Sequence, residues 1–197
     1  GVEGESPLRA LAAVGGTPSK ITRHFLVGGG FQLYLSFLKL IGGRVAITND
    51  ANGALGGSIH LTWLSGDQSL VSLQGIHIFD STAFQAGAIY ATGNGAVLKV
   101  LSSTFESCAT ANGGYGGAIC LNGGAVGRFN AATFLNNKAV PVVGGALFVH
   151  AGAEAVFEDG KSKFEGNQAG TSGSENSQPG HSIYKHGNTG GGGKLSF

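Results

Sequence analysis

Gly56-Gly57-Ser58-Ile59, Ala86-Gly87-Ala88-Ile89, Gly116-Gly117-Ala118-Ile119 and Gly144-Gly145-Ala146-Leu147 are four versions of one segment. Their apolar ends lie 30, 30 and 28 residues apart. A fixed period of this size marks a stacked solenoid, in which each repeat covers its neighbour's apolar face. A second signal keeps step with the first. Phe105, Phe134 and Phe164 follow the apolar end by 16, 15 and 17 residues. They open Phe105-Glu106-Ser107-Cys108, Phe134-Leu135-Asn136-Asn137 and Phe164-Glu165-Gly166-Asn167. Between the two signals, Gly95-Ala96-Val97-Leu98-Lys99-Val100 and Gly124-Ala125-Val126-Gly127-Arg128-Phe129 align without a gap.

Each repeat thus holds three short runs separated by Gly, Asn and Ser, and such runs read as strands. Three strands per repeat describe one coil of a parallel β-helix. The expected fold is all-β: a right-handed parallel β-helix of about five coils, right-handed because parallel crossovers almost always are. Successive coils would stack ~4.8 Å apart. Ile59, Ile89, Ile119, Leu147 and Ile183 would form one inward ladder. Phe105, Phe134 and Phe164 would form another, continued by Ile76 or Ile78. The paired Gly and Ala before the first ladder suit corners that need positive φ or close backbone approach.

The alternation of GGA[IL] with F-x-x-N, over roughly residues 30–187, resembles the repeats of the polymorphic outer membrane proteins. That resemblance implies an autotransporter-like surface protein with a β-helical passenger, and an extracellular or cell-surface location. Two positions depart from the pattern: Cys108 stands for an Asn and Ala86 for a Gly. The membrane barrel that anchors that family is not among these residues, so anchoring is not carried over.

Two parts are expected: an N-terminal segment, 1–28, and the repeats, 29–197. Ser6-Pro7-Leu8-Arg9-Ala10-Leu11-Ala12-Ala13-Val14-Gly15 reads as a short capping helix, with Ser6 at the N-cap, Pro7 at the first position and Gly15 as the stop. Such a helix would shield the open end of the solenoid. At the other end, Gly170–Gly180 reads as a polar insertion. Ile183-Tyr184-Lys185 resumes a repeat, and Lys194-Leu195-Ser196-Phe197 begins its second strand. The chain begins at Gly1 and lacks Met, which reads as a processed product or part of something longer.

Composition narrows the function classes. Charged residues are only 12%, the net charge is +1 and no basic run occurs, so the electrostatic footprint of a nucleic-acid binder is missing. No apolar run approaches the ~20 residues of a membrane helix. Polysaccharide lyases and hydrolases use β-helices, but their chemistry wants clustered acids on one face. The 11 carboxylates here seldom share a register position, and Glu158-Asp159 reads as a solvated corner.

No metal or other cofactor is assigned. His150 and His186 share a register position within metal-ligand reach of each other. Zinc normally takes three or four ligands, so an outward polar row with Thr62, Thr92 and Asn122 is the preferred reading. Thr rows on flat β-helix faces also suggest ice binding, but this row is broken by Asn122, His150 and His186. Cys108 and Cys120 fall on different sides of the coil, beyond the ~7 Å that a disulfide allows, and should be unpaired.

The candidate site is a row. His60, Tyr90, Cys120, Phe148 and Tyr184 each follow an inward ladder residue, so alternation places them on the outer face. An exposed aromatic stripe outside the core would mark a docking surface; the equal alternative is that the chain's own N-terminal segment or the 170–180 insertion covers it. The functional expectation is a non-catalytic structural or protein-interaction scaffold within a larger chain or assembly. Other protein subunits would bind over the stripe or the C-terminal edge. A carbohydrate-active β-helix enzyme and a cell-surface adhesin passenger are the alternatives.

Overall fold

A computed structural model describes residues 23–45, 54–63, 66–111, 114–139, 142–158, 160–170, 182–186 and 194–197, together with the backbone course of 9–12. These residues form an all-β solenoid built only from parallel strands, with no helix among them. The first sheet holds Phe25–Val27, Ile59–Thr62, Ile89–Thr92, Ile119–Asn122, Leu147–Val149 and Ile183–Lys185. The second holds Gln32–Ser36, Ser69–Gln74, Ala96–Leu101, Val126–Asn130, Glu154–Phe157 and Lys194–Ser196. The third holds Arg9–Ala12, Leu38–Ile41, His77–Phe79, Thr104–Glu106, Thr133–Leu135 and Lys163–Glu165. A fourth, absent from the expected three-strand coil, is made of the two-residue strands Thr82–Ala83, Ala109–Thr110, Lys138–Ala139 and Gln168–Ala169. The chain visits the sheets in this order. Four turns carry all four strands, with incomplete turns on either side.

Both ladders form in the expected register. Ile59, Ile89, Ile119, Leu147 and Ile183 pair in sequence, and Phe25 extends the row by one turn. Leu40, Ile78, Phe105, Phe134 and Phe164 form the second ladder, so Ile78 rather than Ile76 continues it. Phe134 is fully buried, and its ring stacks on Phe105 at 5.1 Å and on Phe164 at 4.7 Å. Val71, Leu98 and Phe129 close the core from the second sheet.

The motif letters have separate physical reasons. The first residue is left-handed in every repeat: Gly56 (φ 61°), Ala86 (57°), Gly116 (72°) and Gly144 (74°). Ala86 accepts the strain that Gly avoids at the other three. The second residue has no room for a side chain. A Cβ on Gly57, Gly87 or Gly117 would strike the carbonyl oxygen of Gly87, Gly117 or Gly145 in the next turn.

The Asn of F-x-x-N bridges turns from inside. Asn137 donates from Nδ2 to the Phe105 carbonyl at 2.9 Å, and its Oδ1 accepts from the Cys108 N–H at 3.0 Å. Asn167 repeats both bonds one turn on, to the Phe134 carbonyl and the Asn137 N–H. Buried backbone groups at this corner are thereby satisfied.

The N-terminal capping helix is corrected. Arg9–Ala12 is a strand that pairs with Leu38–Ile41, Arg9 opposite Leu38 and Ala12 opposite Ile41. Helices this short are marginal without packing, whereas a strand takes up the row of groups at the sheet edge. The proposed cap Ser6 and stop Gly15 lie outside the described residues, as does the insertion from 171 to 180.

Phe134→Ala should remove one rung from the middle of the ladder and cost ~3–5 kcal/mol, the range for a buried Phe. Denaturant unfolding measures this, and a loss below ~1 kcal/mol would contradict the stacking.

Candidate functional site

The predicted row is present in register. Leu26, His60, Tyr90, Cys120, Phe148 and Tyr184 are successive neighbours across the first sheet. It is not an exposed stripe, and that expectation is corrected. Tyr90, Cys120 and Phe148 are 5%, 2% and 2% exposed and form a second apolar cluster with Ala86. Leu55 and Val143 pack on this cluster, and the Tyr115 ring stacks on Phe148 at 4.7 Å. Only the ends stay open: Leu26 is exposed, and His60 and Tyr184 are half-buried.

The cover comes from a position that sequence reasoning passed over. Leu55, Gln85, Tyr115 and Val143 each stand directly before the left-handed first residue of the motif. The turn at that residue folds the preceding side chain back over the outer face. Leu55 and Gln85 even pair as a parallel bridge. Large side chains repeating at this one position were the available signal. What remains open is a cleft of about 270 Å³ between Leu55, Gln85, Tyr115, Asn122, Phe148 and His150.

Polar groups in this face are tuned by dryness. Asn122 donates from Nδ2 to the Tyr90 hydroxyl at 2.7 Å, yet burial pushes the Tyr90 phenol above its usual range. Burial pushes Cys120 up as well, and Cys108, inside the opposite corner, up to about 12. Both thiols are free, as the two ladders require. The His150 and His186 rings stack at 4.8 Å, and no group of three or more His, Cys, Asp or Glu among the described residues is placed to hold a metal ion.

His60 meets the Tyr90 ring edge-on at 5.5 Å, and its buried Nε2 has no hydrogen-bond partner. Burial, then the Arg23 charge, pushes its pKa down to about 4. Arg23 itself is fixed by the carbonyls of Gly56 (3.0 Å) and Leu55 (2.5 Å).

The outer face of the second sheet differs in kind. Tyr34, Ser72, Lys99 and Arg128 are successive neighbours in one outward row. Gln74, Leu101 and Asn130 form the next row. The Glu158 N–H donates to the Phe129 carbonyl, which places Glu158 after Asn130. Arg128 Nη1 donates to Glu158 Oε1 at 3.3 Å, with both side chains half-exposed. The groove between these rows has a volume of about 440 Å³. Sequence reasoning aligned Lys99 with Arg128 but did not place them on an outer face. The neighbour Asp159 lies outside the described residues.

Compared with protein-family models, with curated proteins and with solved structures, the chain shows no significant match.

Two outcomes test the first face. Phe148→Ala should cost ~3–5 kcal/mol in denaturant unfolding, because Phe148 is core to the second cluster; unchanged stability would return it to the surface. The stability of the native chain should also fall as pH drops from about 6.5 toward 4. In that window the unfolded His60 binds a proton that the folded one refuses, and below about 4 this contribution levels off. His60→Phe should flatten this part of a pH series of thermal melts; an identical slope in both proteins would remove His60 as its source.

Proposed function

We propose that this chain is a non-catalytic structural or binding scaffold, working within a larger chain or a multi-subunit assembly. The observation that carries the reading is the register lock on the outward rows. Residues one repeat apart become cross-strand neighbours, as Lys99 with Arg128 and Phe148 with Tyr184. A stack of this kind holds side chains at fixed spacing, which suits their presentation to a partner. The coil is read as right-handed on the general rule for parallel crossovers.

Three of the carboxylates are each held by a basic partner. Asp80 pairs with Arg44 at 3.6 Å, Glu106 with His77 at 2.8 Å and Glu158 with Arg128 at 3.3 Å. Glu106 belongs to the third sheet and Glu158 follows the second, so they stand on different faces. Glycoside chemistry wants two carboxylates across one bond, about 5–9.5 Å apart.

Partner proteins fit two places. One is the open ends of the first-sheet row, at Leu26 and Tyr184. The other is the last turn, where Lys163–Glu165, Gln168–Ala169, Ile183–Lys185 and Lys194–Ser196 each have, among the described residues, a parallel neighbour on one side only. Their other edge can pair with further turns or with another subunit. The likeness of the repeats to polymorphic outer membrane proteins favours a surface passenger among such scaffolds.

A carbohydrate-active enzyme is the second reading, and Glu158 beside the groove favours it. Incubation of the chain with a panel of polysaccharides, followed by assay of new chain ends, decides between them. The scaffold reading expects no release. Release that disappears in Glu158→Gln would overturn it in favour of the enzyme.

A further inference from the structure

We propose that the groove on the outer face of the second sheet binds an acidic saccharide, a sugar chain bearing carboxylate or sulfate groups. Lys99 and Arg128 are direct cross-strand partners, and like charges at that spacing destabilise a sheet. Glu158 answers Arg128 only, at 3.3 Å. Lys99 is exposed and makes no ion pair among the described residues. An anionic group lying over the pair relieves their repulsion and accepts charge-assisted hydrogen bonds from both.

The rest of the groove selects what carries that anion. Gln74 and Asn130 supply amides on one side, and Ser72 a hydroxyl in the row of the cations. Amides donate and accept at once, which matches the vicinal hydroxyls of a sugar. Glu158 adds an acceptor at the far end. In the next strand of the same row stands Tyr34, 64% exposed, with its hydroxyl donating to Gln32 Oε1. Tyr34 lies beside the groove, one strand beyond Ser72, and its solvent-facing ring offers a flat apolar surface for one face of a pyranose. A volume of about 440 Å³ sits within the range of ligand-sized sites. A purely apolar ligand would leave the cations unpaired, and a bare anion would leave the amides and Tyr34 unused.

This rests on the scaffold reading only in that the groove holds its ligand without cleaving it. Turnover would overturn that reading and leave the binding claim standing, whereas the loss of binding described below would do the reverse.

The test is calorimetric titration of the chain with trigalacturonate, a sulfated trisaccharide, neutral maltotriose and inorganic sulfate. Binding of one or both acidic trisaccharides is expected, weakening with added salt, with the neutral sugar and sulfate at least about tenfold weaker. Lys99→Ala and Tyr34→Ala, both exposed and so expected to melt as the native chain does, should each weaken the acidic sugar; the loss for Lys99→Ala should be about tenfold. Equal binding of maltotriose overturns the role of the cations. Equal binding of sulfate overturns the sugar and leaves an anion site. No binding of either acidic trisaccharide, or unchanged binding in Lys99→Ala, overturns the proposal.

Discussion

The architecture depends on one steric constraint: at the corner before the first sheet, consecutive turns meet backbone to backbone. The space that a Cβ of Gly57 would need is taken by the carbonyl oxygen of Gly87, and the same holds for Gly87 against Gly117 and Gly117 against Gly145. A parallel ladder alone does not fix its own register. A slip of two residues keeps inward side chains inward and breaks few bonds. A slip at this corner would bring a side chain against a carbonyl with nowhere to move. The glycine row therefore pins the phase of each turn, and the apolar ladders fall into line behind it. A left-handed residue directly before it sharpens the turn, at Ala86 even without Gly.

The opposite corner is held by polar bonding instead. Asn137 and Asn167 each take a carbonyl and an N–H that face inward at the end of the third sheet. Unsatisfied, those groups would cost ~1–3 kcal/mol each. One turn earlier Cys108 stands there, its Sγ 3.5 Å from the Glu106 carbonyl. One turn before that Ser81 Oγ bonds Ser58 Oγ at 2.7 Å, and Ser58 Oγ in turn meets His24 Nδ1 at 3.1 Å. At Cys108 the thiol keeps the equivalent carbonyl of the preceding turn, Ile78, as a partner through a longer contact of 3.7 Å, so the departure from F-x-x-N changes the donor and not the geometry. The backbone stays the same because the residue before the corner is left-handed in each case: Asp80, Ser107, Asn136 and Gly166.

The ladders were legible because burial repeats with the period of the turn. Ile89 and Ile119, or Phe105 and Phe134, meet the same environment and so keep the same side-chain type. The fourth sheet was not legible. Its strands are two residues long, and Thr82-Ala83, Lys138-Ala139 and Gln168-Ala169 share only a small buried residue. Arg9–Ala12 was misread because Pro and Gly flanked an apolar run of helical spacing, and four residues are too few for periodicity to separate helix from strand. Alternation placed Tyr90, Cys120 and Phe148 on the outer face correctly. It could not show that Tyr115 lies over them, because a side chain folded back by a left-handed turn leaves no mark in the strand's own pattern. The groove escaped notice for a related reason: Lys99 and Tyr34 lie 65 positions apart in the sequence, and the ladder that joins them is visible only once the turns are stacked.

A solenoid of this kind separates its faces by solvent. The first sheet's outer face is dry. Its His60 resists protonation, its Tyr90 and Cys120 resist deprotonation, and its aromatic rings stack on one another. Such a face adds stability and offers little to a polar ligand. The second sheet's outer face carries the opposite chemistry on the same backbone: exposed cations, amides and a solvent-facing aromatic ring. Both faces are outward in the sense of strand alternation. The difference arises because the corner before the first sheet throws a large residue back over the sheet that follows it. Near the corner before the second sheet two turns carry glycines, Gly93 with Gly95 and Gly123 with Gly124, while in the turn before them Trp63 stands there and packs against the core cluster. Which face is free for recognition is therefore decided at the corners, not in the strands.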